Sequence, residues 1–323
     1  MDIDAETPAF LLGLPLIQQW PAMWKLIKLS QARRPGNWRL PVAACEAVGG
    51  TAAQAIPAVA AVACLQISII LIDDLLDEDP RGEYRRRGAA ATANLAAAFQ
   101  ATGLEALARD PAGRDGIPDA IRLAALHNLN RMALTTALGQ HWDSLNPAGE
   151  ESYWRVVRTK SAPFYGTALY LGALYGGAPV SLAGHLDEWG QRYGEMVQIH
   201  DDLHDTMATP ASPDWTQGRA SLPLLFAQTV SHPERERFVA LCQAIPEPQA
   251  LGEAQAILLR CGAVSYVAHQ LLHRYQAARQ ALASLPLAQP EALAGLLEAQ
   301  VKPLRRLFQV LQAAASLPGL PAE

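Results

Sequence analysis

The sequence predicts an all-α protein, and three features support this. Ala and Leu dominate long segments of the chain, and both residues favour helices. Val, Ile and Thr seldom alternate with polar residues, so the period of two that marks a half-buried strand is missing. Pro- and Gly-containing breaks separate the segments. Hydrophobic residues make up 50% of the 323 residues, which is ample for a buried core and excludes disorder as the dominant state.

The order of the predicted helices follows from these breaks. They fall at Pro35-Gly36, Gly49-Gly50, Pro80-Arg81-Gly82, Asp110 to Gly116, Pro147, Gly176 to Pro179 and Thr209 to Gly218. Helices are predicted at 15–33, 40–48, 52–78, 89–108, 118–143, 150–174, 180–207, 220–229, 234–243, 249–260, 263–284 and 290–315. The segment 209–218 holds two prolines and is predicted to be a mobile loop without regular structure. No break is long or polar enough for a linker, so residues 1–323 are predicted to form one domain.

The charge balance limits the classes of partner. Lys and Arg number 26 and Asp and Glu number 31, which gives a net charge of −5. Such a chain has no general electrostatic footprint for nucleic acid or anionic lipid, and a polyanion binder would have to concentrate its basic residues locally. The four cysteines are far apart and the N-terminus is acidic, so we expect a cytoplasmic protein. The apolar run Ile56 to Ile72 leads directly into carboxylates, which favours a buried helix over a transmembrane segment.

Two clusters of carboxylates each follow an apolar run. Asp73, Asp74 and Asp77 form the first, and the second repeats the spacing with Asp201, Asp202 and Asp205. Residues four apart share one helix face, so each cluster concentrates negative charge that destabilises a helix unless cations intervene. A solvated acidic helix end is the alternative for one cluster, but the repetition argues against it. Oxygen ligands without thiolates favour Mg²⁺ over zinc or copper.

Paired Mg²⁺ sites of this kind predict a substrate that carries phosphate, because Mg²⁺ is commonly held by a few carboxylates together with phosphate oxygens. Ionising a C–O bond releases diphosphate and leaves a carbocation. Clustered Mg²⁺ ions and basic residues stabilise the departing negative charge, while apolar helix walls shelter the cation from water.

The pair of D-D-x-x-D motifs resembles the trans-isoprenyl diphosphate synthases, also called the polyprenyl synthetase family, and the resemblance covers most of the chain. Gln198 precedes the second motif as in the family pattern F-Q-I-x-D-D. Four further matches are Arg86-Arg87-Gly88 with R-R-G, Gly139-Gln140-His141-Trp142-Asp143 with G-Q-x-x-D, Lys160-Ser161 with K-T, and Gly218 to Pro223 with G-K-x-T-L-P, where Arg219 replaces the lysine.

The resemblance implies an isoprenoid-synthase helical bundle around a deep central cavity, an allylic prenyl diphosphate as substrate, and a homodimer. It implies that the six aspartates of the two clusters bind Mg²⁺, with three ions expected, and act in catalysis together with Lys160. The residues it assigns to the substrate diphosphate are Arg86, Arg87, Lys160, Arg219, Gln140 and Gln198. Relatives limit product length with a bulky residue five positions before the first motif. Here Ser68 and then Ile69 stand there, which predicts a pocket open to long prenyl chains.

One part of the family pattern is missing. Members that elongate chains bind isopentenyl diphosphate with a lysine and an arginine in G-K-x-x-R-P and with a histidine seven residues before the first motif. Here Asn37, Leu40 and Gln66 occupy those positions, and none of them can neutralise a dianion. Arg39 lies one position away and could compensate only if the local backbone shifts.

Three functions follow from this departure. The sequence favours ionisation of an allylic diphosphate with capture of the cation by something other than isopentenyl diphosphate, as in terpene synthase-like enzymes or a prenyltransferase with another acceptor. The first alternative is chain elongation with isopentenyl diphosphate bound in an unorthodox way. The second is a non-catalytic subunit of a heteromeric synthase, against which both intact aspartate motifs argue. A metal-dependent binding module and an all-helical phosphohydrolase are further alternatives from a different class of function.

Overall fold

The all-α prediction is confirmed. The computed structural model describes residues 2–33, 36–109, 117–146, 148–219 and 221–315, the side chains after 305 excepted, and no strand occurs within these ranges. The helices are α1 Ile3–Leu12, α2 Pro15–Gln19, α3 Pro21–Ala32, the 3₁₀ helix η1 Gly36–Arg39, α4 Leu40–Ala47, α5 Ile56–Leu76, α6 Tyr84–Arg87, α7 Ala89–Ala108, α8 Asp119–Ser144, α9 Glu150–Lys160, α10 Ala162–Tyr175, α11 Val180–Met207, α12 Pro213–Thr216, α13 Leu222–Thr229, α14 Arg235–Ala244, α15 Pro248–Arg260, α16 Ala263–Ala283 and α17 Glu291–Ala315.

Proline explains two places where the predicted helices are wrong. The predicted helix 15–33 breaks at Trp20, whose ψ of 86° is not helical, because Pro21 follows it. The predicted helix 150–174 divides at Ser161 into α9 and α10, because Pro163 has no N–H and can only enter a helix in its first turn. The second break places Lys160 at the end of a helix, next to the carboxylate clusters.

The segment 209–218 contains more structure than predicted. Its residues Pro213–Thr216 form the short helix α12. Trp215 is buried there, and its indole N–H donates to the carbonyl of Thr206 over 2.9 Å. This buried tryptophan anchors the segment to the end of α11, which explains why a Pro-rich stretch is ordered. The sequence analysis did not predict α1, which packs against α5.

The main core holds together the helices that carry the site. All residues of α10 are buried, and α10 packs against both α4 and α11. The helix α5 packs mainly against α7, and Phe99 of α7 is fully inaccessible to solvent. Each such side chain contributes about 1.5–3 kcal/mol through burial. A second, smaller cluster around Trp215 and Phe238 joins α12–α15 beside the main core.

Among the described residues, α5 alone is long and apolar enough to cross a membrane by length and composition. Two thirds of its most apolar window, 67%, is nevertheless buried inside the bundle. Its last turns carry Asp73 and Asp74, whose charges would be costly in hydrocarbon. These features are those of a core helix, as the sequence predicts.

Candidate active site

The two aspartate clusters meet at one cavity of about 930 Å³ between α5, α10, α11 and the segment 208–219. Five of the six predicted aspartates line it, namely Asp73, Asp74, Asp77, Asp201 and Asp205. Each cluster lies at the end of a long buried helix, so the core fixes the direction from which its carboxylates enter the cavity. The sequence motifs therefore converge in space across a separation of more than a hundred residues.

Asp202 has different surroundings from the other five. It is 4% exposed and lines a neighbouring cavity of about 120 Å³ instead. One carboxylate oxygen accepts from the Gln198 amide and the other from the backbone N–H of Leu222, both over 2.8 Å. Burial raises the pKa of Asp202, and these two hydrogen bonds oppose the rise. Both oxygens have protein donors, so Asp202 ties α11 to the start of α13.

Lys160 lies between two carboxylates. Its ammonium nitrogen is 2.9 Å from Asp73 Oδ1 and 2.6 Å from Asp143 Oδ2. Burial acts to lower the pKa of Lys160, but Asp73 and Asp143 outweigh it and hold the pKa above its ordinary value. The side chain therefore stays charged at neutral pH and neutralises part of the first cluster.

A glycine on α8 makes this contact possible. A Cβ atom added at Gly139 would lie 2.3 Å from the backbone nitrogen of Lys160, so the two helices can approach only where that residue has no side chain. The close approach sets Asp143, one turn further along α8, against the lysine. The glycine of the G-Q-x-x-D match thus has a packing role.

Arg219 joins the segment after α11 to the first cluster. Its guanidinium contacts both oxygens of Asp77, over 2.5 and 2.9 Å, and lies 3.8 Å from Asp143. The Gln217 amide donates to the backbone carbonyl of Asp77 over 2.8 Å. These bonds hold the segment that follows α11 against the end of α5.

Three carboxyls of the site have pKa values raised to between about 6 and about 7. Burial first, and then Asp79 and Asp73, raise the pKa of Asp74 to about 6. Asp201 keeps contact with solvent, but the surrounding protein, Asp205 and Asp202 raise its pKa to about 6. The site thus concentrates more negative charge than its own lysine and arginine compensate.

Asp214 of α12 is the third of these carboxyls, and the sequence did not reveal it. Burial, together with Asp202 and Asp205, raises its pKa to about 7. It lines both cavities, five residues before Arg219. A lone acidic residue in a Pro-rich segment carries no pattern of its own. The only clue to Asp214 in the sequence is that it lies five residues before Arg219.

Four other predicted residues lie away from the cavity. The guanidinium of Arg86 contacts Glu83 over 2.5 Å and that of Arg87 contacts it over 2.8 Å. Gln140 is buried, 8% exposed, and is not among the lining residues. The hydroxyl of Ser68 donates to the carbonyl of Ala96 over 2.8 Å and so faces α7 instead of the pocket. The next residue, Ile69, lines the cavity.

The corner of the cavity at positions 37 and 66 carries no charged side chain from the missing family motif. Asn37 and Gln66 line it, and Gln66 Oε1 is buried without a hydrogen-bond partner among the described residues. Leu40 is 1% exposed in the core. Arg39 contacts Asp4 over 2.7 Å and its side chain is 66% exposed, so it does not compensate for the missing charge.

The walls of this corner are aromatic and aliphatic. Phe164 and Tyr165 line the cavity with Ile69, and the two rings meet edge to face at 5.4 Å between centroids. Burial raises the pKa of the Tyr165 phenol, and a hydrogen bond with Asn37 opposes the rise. The cavity therefore combines the polyanionic aspartate clusters with an uncharged corner.

The donor set of the polyanionic aspartate clusters fits a hard cation. Carboxylate oxygens face the cavity and no thiolate lines it, which is the chemistry that Mg²⁺ prefers. Within the described ranges, no three His, Cys, Asp or Glu side chains are close enough to enclose an ion by themselves. Further ligands would have to come from substrate and water.

Comparisons with known proteins agree with this geometry. Residues 38–258 match the family model described as polyprenyl synthetase. The chain is 26% identical over 257 residues to the short chain isoprenyl diphosphate synthase of Methanothermobacter thermautotrophicus, covering 75% of this chain and 78% of the relative. It is 29% identical over 241 residues to the nonaprenyl diphosphate synthase of Mycobacterium tuberculosis, covering 70% and 69%. The crystal structure of a decaprenyl diphosphate synthase from Rhodobacter capsulatus has the same fold, with a TM-score of 0.76, 19% identity and coverage of 93% and 94%. The chain therefore belongs to the polyprenyl synthetase family.

Proposed function

We propose that this protein is a Mg²⁺-dependent prenyltransferase that ionises an allylic prenyl diphosphate. The observation that carries the proposal is the meeting of five aspartates from two motifs with Lys160 and Arg219 around one cavity. The family and the relatives support prenyl diphosphate chemistry in general.

The proposed division of labour follows the contacts. Asp73, Asp74 and Asp77 would hold Mg²⁺ from α5, the carboxylates of α11 would hold it from the opposite side, and three ions are expected. When bound, Mg²⁺ supplies positive charge to the diphosphate as the C–O bond breaks. Lys160 and Arg219 would exchange their carboxylate partners for diphosphate oxygens. Phe164 and Tyr165 would exclude water from the carbocation.

Some predicted residues need movement to take part. Arg86 and Arg87 would reach a diphosphate only after leaving Glu83. Gln198 orients Asp202 and accepts from the Ser161 hydroxyl over 2.7 Å, so its role would be to position a carboxylate. The same proposal takes residues 1–323 as one domain and the protein as a cytoplasmic homodimer. Light scattering is the direct test of the homodimer.

Chain elongation with isopentenyl diphosphate is the acceptor chemistry that the relatives support. These relatives are a short chain isoprenyl diphosphate synthase and a nonaprenyl diphosphate synthase. Elongation was an alternative in the sequence analysis, and it fits these relatives better than the non-isopentenyl acceptor that the sequence favoured.

An acceptor without a diphosphate group remains the second candidate, and one observation favours it. At the uncharged corner, Asn37 and Gln66 themselves offer a second dianion no charge, and Arg39 is bonded to Asp4. The unpartnered Gln66 Oε1 could instead accept from a neutral N–H or O–H donor.

The experiment incubates the protein and Mg²⁺ with geranyl, farnesyl or geranylgeranyl diphosphate, each with and without isopentenyl diphosphate, and separates the products by chromatography. Longer prenyl diphosphates that appear only with isopentenyl diphosphate would establish elongation. Diphosphate release and a new carbon skeleton without it would establish the second candidate. Absence of turnover, with activity restored by a second chain, would contradict both and support a non-catalytic subunit.

A triple variant tests the corner itself. Asn37→Lys, Leu40→Arg and Gln66→His together restore the family residues, and we expect them to raise the rate of elongation. Asp119→Asn is the control, since this carboxylate is 98% exposed at the start of α8. An elongation rate that does not rise would show that the corner differs beyond these three side chains.

A further inference from the structure

Basic residues are concentrated in one N-terminal stretch of this acidic chain. Residues 7–45 contain Lys25, Lys28, Arg33, Arg34 and Arg39 and no Asp or Glu, although the whole chain has a net charge of −5. This is the kind of local concentration that binding to a polyanion requires. None of the contacts proposed for the diphosphate involves these residues.

The helices α2 and α3 present this stretch on an amphipathic surface. Their inner face buries Ile17, Met23 and Ile27 in the core. The outer face exposes Leu16 by 74% and Leu29 by 44%, so apolar side chains reach solvent on the same two helices that carry the basic residues.

The charged residues of the same two helices are all basic. Lys25, Lys28 and Arg33 are exposed, and among the described residues none of the three forms an ion pair. Half-buried Trp20 and Trp24 stand between the apolar and basic parts, and the Lys28 ammonium lies 4.9 Å from the centre of the Trp24 ring. Arg39, in η1, is already paired with Asp4.

We propose that this outer face of α2 and α3, the basic face, docks on the surface of an anionic phospholipid bilayer. Helices that lie in the membrane interface combine Lys and Arg with Trp and Leu in this way, and the lysine stems let the ammonium groups reach the headgroups while the apolar residues enter the acyl boundary. Each basic residue near an anionic surface adds to binding, and the apolar side chains add an attraction that salt does not screen.

Two other occupants fit less well. Nucleic acid would use the basic residues but leave the two exposed leucines against water and phosphate. A second copy of the chain in a two-fold contact would bring Lys25 and Lys28 near their own counterparts, and like charges repel across such an interface.

The basic face is close in sequence to the active-site cavity. The chain leaves α3 at Ala32 and reaches Asn37, a lining residue, in η1. Docking would therefore hold this edge of the cavity near the bilayer, where long prenyl chains are soluble. The binding itself does not depend on the proposed function and can be tested without turnover.

The experiment measures co-sedimentation of the full-length protein with vesicles of equal parts phosphatidylglycerol and phosphatidylcholine, or of phosphatidylcholine alone, at low and high salt. We expect binding to the anionic vesicles that weakens but persists at high salt. Lys25→Glu with Lys28→Glu should weaken it by roughly tenfold or more. Leu16→Ser with Leu29→Ser should abolish the part that persists at high salt.

The matched control reverses two exposed basic residues elsewhere, Arg279→Glu with Lys302→Glu, for the same change in net charge. Circular dichroism and thermal unfolding check that all variants fold. The proposal is overturned if the protein ignores anionic vesicles at low salt, or if the control pair weakens binding as much as the α3 pair. It is equally overturned if duplex DNA binds better than the vesicles, or if the α3 pair changes the oligomeric state by light scattering and leaves vesicle binding unaltered.

Discussion

At the scale of single residues, the site is organised by charge exchange. Lys160 and Arg219, two of the cations that line the cavity, are each paired with aspartates. A diphosphate with its Mg²⁺ ions brings both a ligand for the cations and countercharge for the carboxylates. In the proposed function, the pairs would hold the two cations in position until a diphosphate replaces their carboxylate partners.

Lys160→Ala should lower kcat/KM for diphosphate release by about 100-fold or more, because one preorganised charge at the departing group is lost. Steady-state release of diphosphate from farnesyl diphosphate measures it, and Lys302→Ala, on the exposed side of α17, is the control. An unchanged kcat/KM in the Lys160 variant would remove this lysine from the site.

Asp214 gives a prediction about pH. Its pKa rises from the ordinary 3.8 to about 7 on folding, so between these values the folded protein binds more protons than the unfolded chain. Its contribution to the free energy of unfolding is thus full below pH 3.8 and is lost as the pH rises through about 7. In EDTA, Asp214→Asn should unfold at a higher urea concentration than the wild type at pH 8 and differ less at pH 5. Asp119→Asn, at an exposed carboxylate, is the control for the loss of one charge. A difference between Asp214→Asn and the wild type that is the same at pH 5 and pH 8 would contradict the placement of Asp214.

The sequence predicted these residues unevenly. Repeated carboxylates at helical spacing signal a shared face, so Asp73, Asp77, Asp201 and Asp205 could be found. The burial of Asp202 between two donors, and the turn of Ser68 toward α7, depend on which way each helix faces its neighbours. That rotation is set by long-range packing, which spacing alone does not encode.

At the scale of elements, close helix contacts and breaks position the chemistry. The break at Ser161 ends α9 at Lys160, and the contact at Gly139 brings α8 against that end. Proline at position 163 could have predicted the break, whereas the contact between α8 and α9 could not be predicted from Gly139 alone.

Gly139→Ala should therefore destabilise the protein by roughly 1–3 kcal/mol, because the added methyl overlaps the backbone of α9 and pushes Asp143 from Lys160. Urea denaturation measures the loss, and diphosphate release should fall with it. Gly184→Ala in α11 is the control: a Cβ there meets nothing within 4 Å, so it should be neutral or stabilising by up to about 1 kcal/mol. Equal stability of the two variants would contradict the close contact.

At the scale of the whole molecule, composition and motif order predicted the helical class and the family, because a helical bundle depends on many weak signals that agree. The acceptor was not determined in the same way. It depends on one corner, where Asn37 and Gln66 replace the lysine and the histidine of the family pattern. A few side chains in one corner can change without altering the fold, so similarity over the whole chain does not determine the acceptor.

The central claim is that the two clusters form one Mg²⁺-dependent site for ionising an allylic diphosphate. The direct measurement is the rate of diphosphate release from farnesyl diphosphate, in Mg²⁺ or in EDTA, by the wild type, Asp73→Ala and Asp201→Ala, with isopentenyl diphosphate present and absent. We predict release that requires Mg²⁺ and falls by about 100-fold or more in both variants, since the loss of either cluster leaves the diphosphate charge without its stabilising partners. Release that persists in EDTA, or in both variants, would contradict the claim.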